Sequence, residues 1–217
     1  MKDKNTNNVL DAAGFDRWAL TYDASVADSE AADEYPFAAY SEVLAEVYRQ
    51  VVATGGKSVL DLGFGTATFT ELLYKAGYQI SGVDFSVEML RRAKEKMPTA
   101  DLYQADFSKG LPEPIKGRRF SAIIFTYSIH HLSGEKQVQL LSDLAELLEP
   151  CGKIIIGDVA AETRAGLECA RQKDLQLWDD DEYYPVAADL RRQLPQLTVT
   201  FMKKSYCSGL ILLEHNF

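Results

Sequence analysis

The chain has 217 residues, enough for one sizeable domain with an appendage rather than two full ones. Its 23 Lys and Arg against 32 Asp and Glu leave a net charge of −9, which argues against a nucleic-acid partner, because neutralising phosphates needs a basic face. No apolar run approaches the ~18 residues of a membrane span, and the polar stretch 1–8 lacks the apolar region of a secretory signal.

Cys151, Cys169 and Cys207 form no C-x-x-C and cannot all pair, so reduced thiols and a cytoplasmic location are expected. After the polar lead-in, residues 11–22 carry Phe15, Trp18 and Ala19 on one side of a short helix. Pro36 suits the first position of a second helix, which continues through Val43, Leu44, Val47, Val51 and Val52 and stops at Gly55-Gly56. Residues 1–56 therefore read as an N-terminal helical cap.

The period then changes. Residues 58–62 read as a buried strand, 67–76 as a helix, and 79–84 as a strand. Ser86 caps a helix that runs to about Lys96, ahead of Pro98. Residues 102–104 and 120–125 are strands, and 135–148 is a helix with Val138, Leu141, Leu144, Ala145 and Leu148 at core spacing. Pro150 and Gly152 make a turn into a strand over 153–158. Strands alternating with helices predict βαβ units and a parallel sheet.

The remainder breaks that rhythm. Residues 160–177 and 186–193 look helical and flank the acidic, aromatic stretch 178–184. Residues 198–202 and 206–213 are β-rich and too close together for a parallel crossover, so they pair antiparallel. The expected organisation is a single domain. Residues 57–158 form a cofactor-binding core, 159–196 a helical insertion or lid, and 197–217 a C-terminal β-hairpin.

The informative segment is Val59-Leu60-Asp61-Leu62-Gly63-Phe64-Gly65-Thr66-Ala67, a strand end that opens a helix. Gly63 and Gly65 permit a tight turn and close approach of a ligand to the backbone. Thr68 stands where a dinucleotide fingerprint needs glycine, and Asp61 would repel a pyrophosphate but suits an ammonium group. Asp84 ends the second strand, where a carboxylate can accept both hydroxyls of a ribose. Phe85 and Met89 follow as apolar flanks for a purine, and Asp106, next to Phe107, can accept from an adenine amino group.

Asp61-x-Gly63-x-Gly65, Asp84 and Asp106 together resemble the successive cofactor motifs of class I S-adenosylmethionine-dependent methyltransferases. The resemblance spans about 57–158, with Ala67 where that family often has a third glycine. It implies a Rossmann-like, doubly wound α/β fold: a seven-stranded sheet, mostly parallel with an antiparallel last strand, and helices on both faces. It implies S-adenosylmethionine as cofactor and S-adenosylhomocysteine as product. Asp61 would hold the methionine ammonium, Gly63 and Gly65 the methionyl and ribose parts, Asp84 the ribose, and Phe85, Met89, Asp106 and Phe107 the adenine. Thr126 would border the sulfonium. The opening Phe15-Asp16-Arg17-Trp18-Ala19-x-x-Tyr22-Asp23 resembles the N-terminal helix of small bacterial methyltransferases, in which the tyrosine, here Tyr22, helps close the cofactor pocket.

Displacement at a sulfonium leaves a neutral thioether and needs no general acid. Any base for the acceptor is expected from Tyr127, His130 and His131, in a His-His-Leu segment similar to one in related methyltransferases. No metal is expected: His130, His131 and His215 lack ligand spacing, and adjacent histidines usually diverge. A small-molecule acceptor is expected against Tyr22, Tyr35 and Tyr40 of the cap and Trp178, Tyr183 and Tyr184 of the insertion. The run Asp179-Asp180-Asp181-Glu182 could attract a cationic acceptor, and the chain is expected as monomer or homodimer. The alternatives are a non-catalytic S-adenosylmethionine-binding protein and a nucleotide-cofactor oxidoreductase. Thr68, Asp61 and the lack of any Tyr-x-x-x-Lys among eleven tyrosines count against the latter.

Overall fold

Short runs of Val, Ile, Leu and Phe fold as strands, and the amphipathic stretches between them fold as helices that cover both faces of one sheet. The structure, a computed structural model, describes residues 34–216. Tyr22 and the helix expected over 11–22 lie outside the described residues. The strands are β1 (Ser58–Leu62), β2 (Gln79–Asp84), β3 (Asp101–Gln104), β4 (Phe120–Thr126), β5 (Leu148–Val159), β6 (Leu197–Lys203) and β7 (Ser208–His215). The helices are α1 (Tyr40–Ala53), α2 (Thr70–Lys75), α3 (Val87–Lys96), α4 (Gly134–Ala145), α5 (Arg164–Lys173) and α6 (Ala187–Gln193).

The sheet order is β3-β2-β1-β4-β5-β7-β6. The pairs β3-β2, β2-β1, β1-β4 and β4-β5 are parallel, and β7 runs antiparallel to both β5 and β6. Side chains alternate across the sheet. Ala122, Ile124 and Ile155 point into a core layer shared with Val43 and Val47 of α1, Leu73 of α2 and Ala93 of α3. Ile123, Phe125, Ile154 and Ile156 point into the opposite layer, shared with Leu141 and Leu144 of α4 and Leu190 of α6. Helix α1 lies so close to β5 that a Cβ at Gly157 would stand 2.8 Å from Val43 Cγ1 and 2.9 Å from Val47 Cγ2.

Five boundaries differ from the sequence pattern: the helix expected over 135–148 stops at Ala145, because Leu148 already pairs with Phe120 at the start of β5, and four others have equally local reasons. Helix α1 begins at Tyr40 rather than Pro36, because residues 35–39 form turns and Ala39 sits in the left-handed region at φ 56°. Helix α2 is shorter than 67–76, since the glycine loop continues through turns to Ala67 at φ 58°. The turn at Pro150 and Gly152 lies inside β5 as a bulge: Phe120 pairs with Leu148 but Ala122 with Lys153. Helix α5 covers only part of 160–177. Thr163 caps its start by accepting from Gly166 N at 3.1 Å, and residues beyond Lys173 leave the helix.

Among the described residues, no helix is long and apolar enough to cross a membrane.

Candidate active site

Parallel strands place their carboxyl ends on one side of the sheet, where open α/β folds take ligands. At the end of β1, Gly63 adopts φ +83°, and its N–H donates to Val83 O at 2.8 Å. A Cβ at Gly63 would meet Ser128 Cβ at 2.5 Å, and Ser128 Oγ donates to Leu62 O at 2.6 Å. Only glycine fits between the β1 and β4 loops there. Gly65 N donates to Asp84 Oδ2 and Ser86 N to Asp84 Oδ1, both at 2.9 Å. The Asp84 carboxylate thus joins the glycine loop, β2 and the start of α3. Lys96 Nζ holds the far side of the loop through Thr66 O at 2.7 Å.

Asp61 has no solvent exposure. Its Oδ2 accepts from the Thr70 hydroxyl, and its Oδ1 has no partner among the described residues. Burial, helped by the charge of Asp84 and opposed by the Thr70 bond, pushes the Asp61 pKa up to about 7. Asp106 caps the short helical turn Phe107–Lys109, accepting from Ser108 N at 2.9 Å and pairing with Lys109 Nζ at 3.0 Å. Partial burial would raise its pKa, but the bonds from Ser108 and Lys109 outweigh it and lower it.

Two apolar cofactor candidates turn inward. Met89 is buried with Ala93 one turn away on the core face of α3, while Phe85 is half-buried at the end of β2. Phe107 is a core residue at 6.1 Å, edge-on, from Phe125, so it supports Gly63 from below rather than lining an open surface. Thr126, half-buried, ends β4. Tyr127 follows at φ 52°, with its ring 5.2 Å from Phe37 and 5.1 Å from Tyr40. The Tyr127 hydroxyl is buried with no hydrogen-bond partner among the described residues.

The two histidines do not diverge. They share the short helical turn Ile129–His131, with ring centroids 4.2 Å apart. His130 Nδ1 is 2.7 Å from Oδ1 of Asp158, a fully buried carboxylate near the end of β5. His130 Nε2 is 3.4 Å, and His131 Nδ1 3.8 Å, from the same Oε1 of Glu182. Burial alone would lower the His130 pKa, but the Asp158 carboxylate outweighs it and raises it. Burial and the neighbouring His130 push His131 down to about 3. His215 stands apart, 3.0 Å from Ala145 O.

Aromatic rings roof this cluster. Tyr35 stacks on Trp178 at 4.7 Å, Trp178 meets Tyr184 edge-on at 4.9 Å, and the Tyr35 and Tyr184 hydroxyls are hydrogen-bonded. Tyr184 OH donates to Glu182 Oε2 at 2.5 Å. Buried Gln137 fastens the two loops together, donating to Leu132 O at 3.0 Å and Tyr183 O at 2.5 Å. Beside the roof lies a cavity of about 510 Å³ with Gln137, Arg164, Arg171, Trp178 and Glu182 in its wall. Of the acidic run, Glu182 reaches the histidines, Asp180 pairs with Arg171 instead, and the side chain of Tyr183 is exposed.

Sequence reasoning named the two histidines, Glu182 and the roof aromatics, but not Gln137, Arg164 and Arg171, nor Asp158, which reads as the polar end of a buried strand. A carboxylate at the carboxyl end of a parallel strand, as with Asp84, was the available signal.

A methyltransferase domain model matches residues 59–152, which run from β1 into β5. The chain is 32% identical over 184 residues to an uncharacterized methyltransferase of Oceanobacillus iheyensis, covering 82% of this chain and 83% of the relative. Its fold is similar to that of magnesium protoporphyrin IX methyltransferase from Synechocystis with bound S-adenosylhomocysteine. The TM-score is 0.67 at 19% identity, over 94% of this chain and 95% of that one. The DhpI–S-adenosylhomocysteine complex matches with a TM-score of 0.67 at 16% identity, over 98% and 99%. With the glycine loop, the strand-end acids and the β7 reversal in place, the chain belongs to the methyltransferase family, in the class I fold of enzymes that use S-adenosylmethionine.

Proposed function

We propose that this chain moves the methyl group of S-adenosylmethionine to a small-molecule acceptor, and that the strand-end carboxylates hold the donor. The observation that carries the reading is Asp61: a fully buried carboxylate beside a glycine loop, with one oxygen lacking a partner among the described residues. An ammonium group satisfies that oxygen, and a phosphate does not. The residues fit the cofactor in its other parts too. Asp84 accepts the ribose hydroxyls, Asp106 accepts from the adenine amino group, and half-buried Phe85 is the more accessible adenine flank than Met89. Gly63 and Gly65 let the methionyl chain lie against the backbone, and Thr126 borders its end. When bound, the cofactor supplies a methyl group on a sulfonium whose leaving group is a neutral thioether.

The chain's own task is therefore alignment and exclusion of water. Tyr127, His130 and His131 form the wall that orients the acceptor, with Asp158 fixing the His130 ring through Nδ1. Tyr35 and the segment 174–186 act as the lid. The cavity of about 510 Å³ beside the roof of Tyr35, Trp178 and Tyr184 suits a small molecule. A similar fold supports this reading, since it is that of magnesium protoporphyrin IX methyltransferase.

Calorimetry with S-adenosylmethionine, S-adenosylhomocysteine and NAD tests the cofactor: binding of the two sulfur ligands alone is expected, and binding of neither overturns the proposal. Transfer of radiolabelled methyl groups in a cell extract tests the acceptor. Label in the small-molecule fraction is expected, whereas label confined to protein or nucleic acid refutes a small acceptor.

A further inference from the structure

The geometry points to a divalent metal site made by His130 Nε2, His131 Nδ1 and Glu182 Oε1, of the kind that takes zinc or a neighbouring first-row transition metal. Glu182 Oε1 lies 3.4 Å from His130 Nε2 and 3.8 Å from His131 Nδ1, and a ligand atom from each residue falls within 4.8 Å of the others. A metal held by bonds of about 2.0–2.2 Å in tetrahedral geometry separates its ligand atoms by about 3.3–3.6 Å. Two of the three separations are thus near the bonded arrangement, and the third is within 4.8 Å.

The surroundings carry the inference further than the three ligands alone. Metal-bound histidines usually donate their other ring nitrogen to a carboxylate or carbonyl, which fixes the tautomer and aims the lone pair. His130 Nδ1 is 2.7 Å from the fully buried Asp158, so Nε2 is the nitrogen turned toward Glu182. The Glu182 carboxylate is held in the same way: Tyr184 OH donates to Oε2 at 2.5 Å, which leaves Oε1 to face both histidines. Gln137 and the bond from Tyr183 N to His130 O at 2.9 Å lock the loop of Glu182 to the loop of the histidines. Two carboxylates around one imidazole make a site rich in negative charge, and Asp158 Oδ2 has no partner among the described residues. Two nitrogens and one oxygen suit zinc, iron or manganese better than calcium or magnesium, which prefer all-oxygen shells. The expectation of no metal from spacing considered His215 as third ligand. The third ligand here lies 51 residues beyond His131 in sequence, so no local motif announces it.

The test is titration of the tag-free, chelator-stripped full chain with Zn²⁺, followed by calorimetry. One equivalent is expected to bind in the micromolar range or tighter and to raise the melting temperature. Glu182→Gln and His131→Asn should each weaken binding at least about tenfold, and Tyr184→Phe, which keeps all three ligands, by about 10–100-fold. Circular dichroism checks that each variant folds; if Glu182→Gln does not, Tyr184→Phe and His131→Asn decide. Cys151 and Cys169 are exposed free thiols, a ligand type that zinc takes, so the titration is repeated with both changed to serine. Absence of saturable binding in that background overturns the site, leaving His130 held between Asp158 and Glu182 by a proton. Binding indifferent to all three variants overturns it equally.

Discussion

Gly65 donates its backbone N–H to Oδ2 of Asp84 across 2.9 Å, so the glycine loop is tied directly to the carboxylate at the end of β2. The same carboxylate takes Ser86 N on its other oxygen and so also sets the start of α3. Charge-assisted bonds of this kind contribute about 1.5–3 kcal/mol each. Asp84→Ala should therefore weaken S-adenosylhomocysteine binding by about 10–150-fold in calorimetry. A ligand lacking the ribose hydroxyls separates the two roles of Asp84. It should bind the normal protein weakly and lose little more in the variant. If it loses as much as the full ligand does, Asp84 acts on the loop alone.

The contact between Gly63 and Ser128 makes a second prediction. Alanine at position 63 is strained at φ +83° and also meets Ser128 Cβ at 2.5 Å. Gly63→Ala should destabilise the fold by about 1–3 kcal/mol and abolish measurable cofactor binding. Adding Ser128→Gly removes the clash but not the backbone strain, so it should restore part of the stability. Full recovery of the melting temperature in the double variant would show that the backbone angle costs nothing.

The third concerns the seam between α1 and the β6-β7 hairpin. Glu46 is buried and accepts from Lys204 at 2.9 Å, Gln50 at 3.0 Å and Arg49 at 2.6 Å. These bonds, Lys204 first, hold its pKa down at about 2. A depressed carboxylate stabilises the folded state above its ordinary pKa, and the contribution is lost as pH falls toward the folded value. Glu46→Gln should cost about 2–3 kcal/mol in urea unfolding at pH 7. Wild type and variant should converge between about pH 4 and pH 2. An equal gap at both ends of that range would remove the ion pair as the cause.

The sheet was legible in the sequence because its signals are local. Val59 to Leu62, Gln79 to Asp84 and Phe120 to Phe125 are short, largely apolar runs of strand length. Asp61, Gly63 and Gly65 could be read for the same reason, since adjacency along the chain is adjacency in the turn, and Asp84 could be read from its place at the end of the next strand. The boundaries that failed lie where tertiary contacts override propensity: Ala39 and Ala67 take left-handed angles that composition does not encode. The histidine cluster was half-legible. His130 and His131 stand out as a pair, but Asp158 comes from the neighbouring strand and Glu182 from an irregular segment with no period. Only the packing of 174–186 against the β4 loop, fastened by Gln137, brings those carboxylates to the rings.

The last prediction rests on Asp61, whose burial raises its pKa to about 7 from an ordinary value near 4 in the unfolded chain. Between those values the folded state holds a proton that the unfolded state has lost. The sign follows from that difference: the contribution is fully present below about pH 4 and is lost as pH rises toward 7. Its size is on the order of 4 kcal/mol at most. Asp61→Asn should flatten the stability profile across this window and make the variant the more stable protein at pH 8, as read by urea unfolding. Cofactor binding draws on the same proton. An ammonium beside Asp61 favours the carboxylate, so binding at pH 6 should release up to about one proton. Calorimetry in two buffers of different ionisation enthalpy measures that number directly. Wild type should release it, and Asp61→Asn should release none while binding more weakly. Equal proton release by both proteins would place the titrating group elsewhere and detach the ammonium from Asp61.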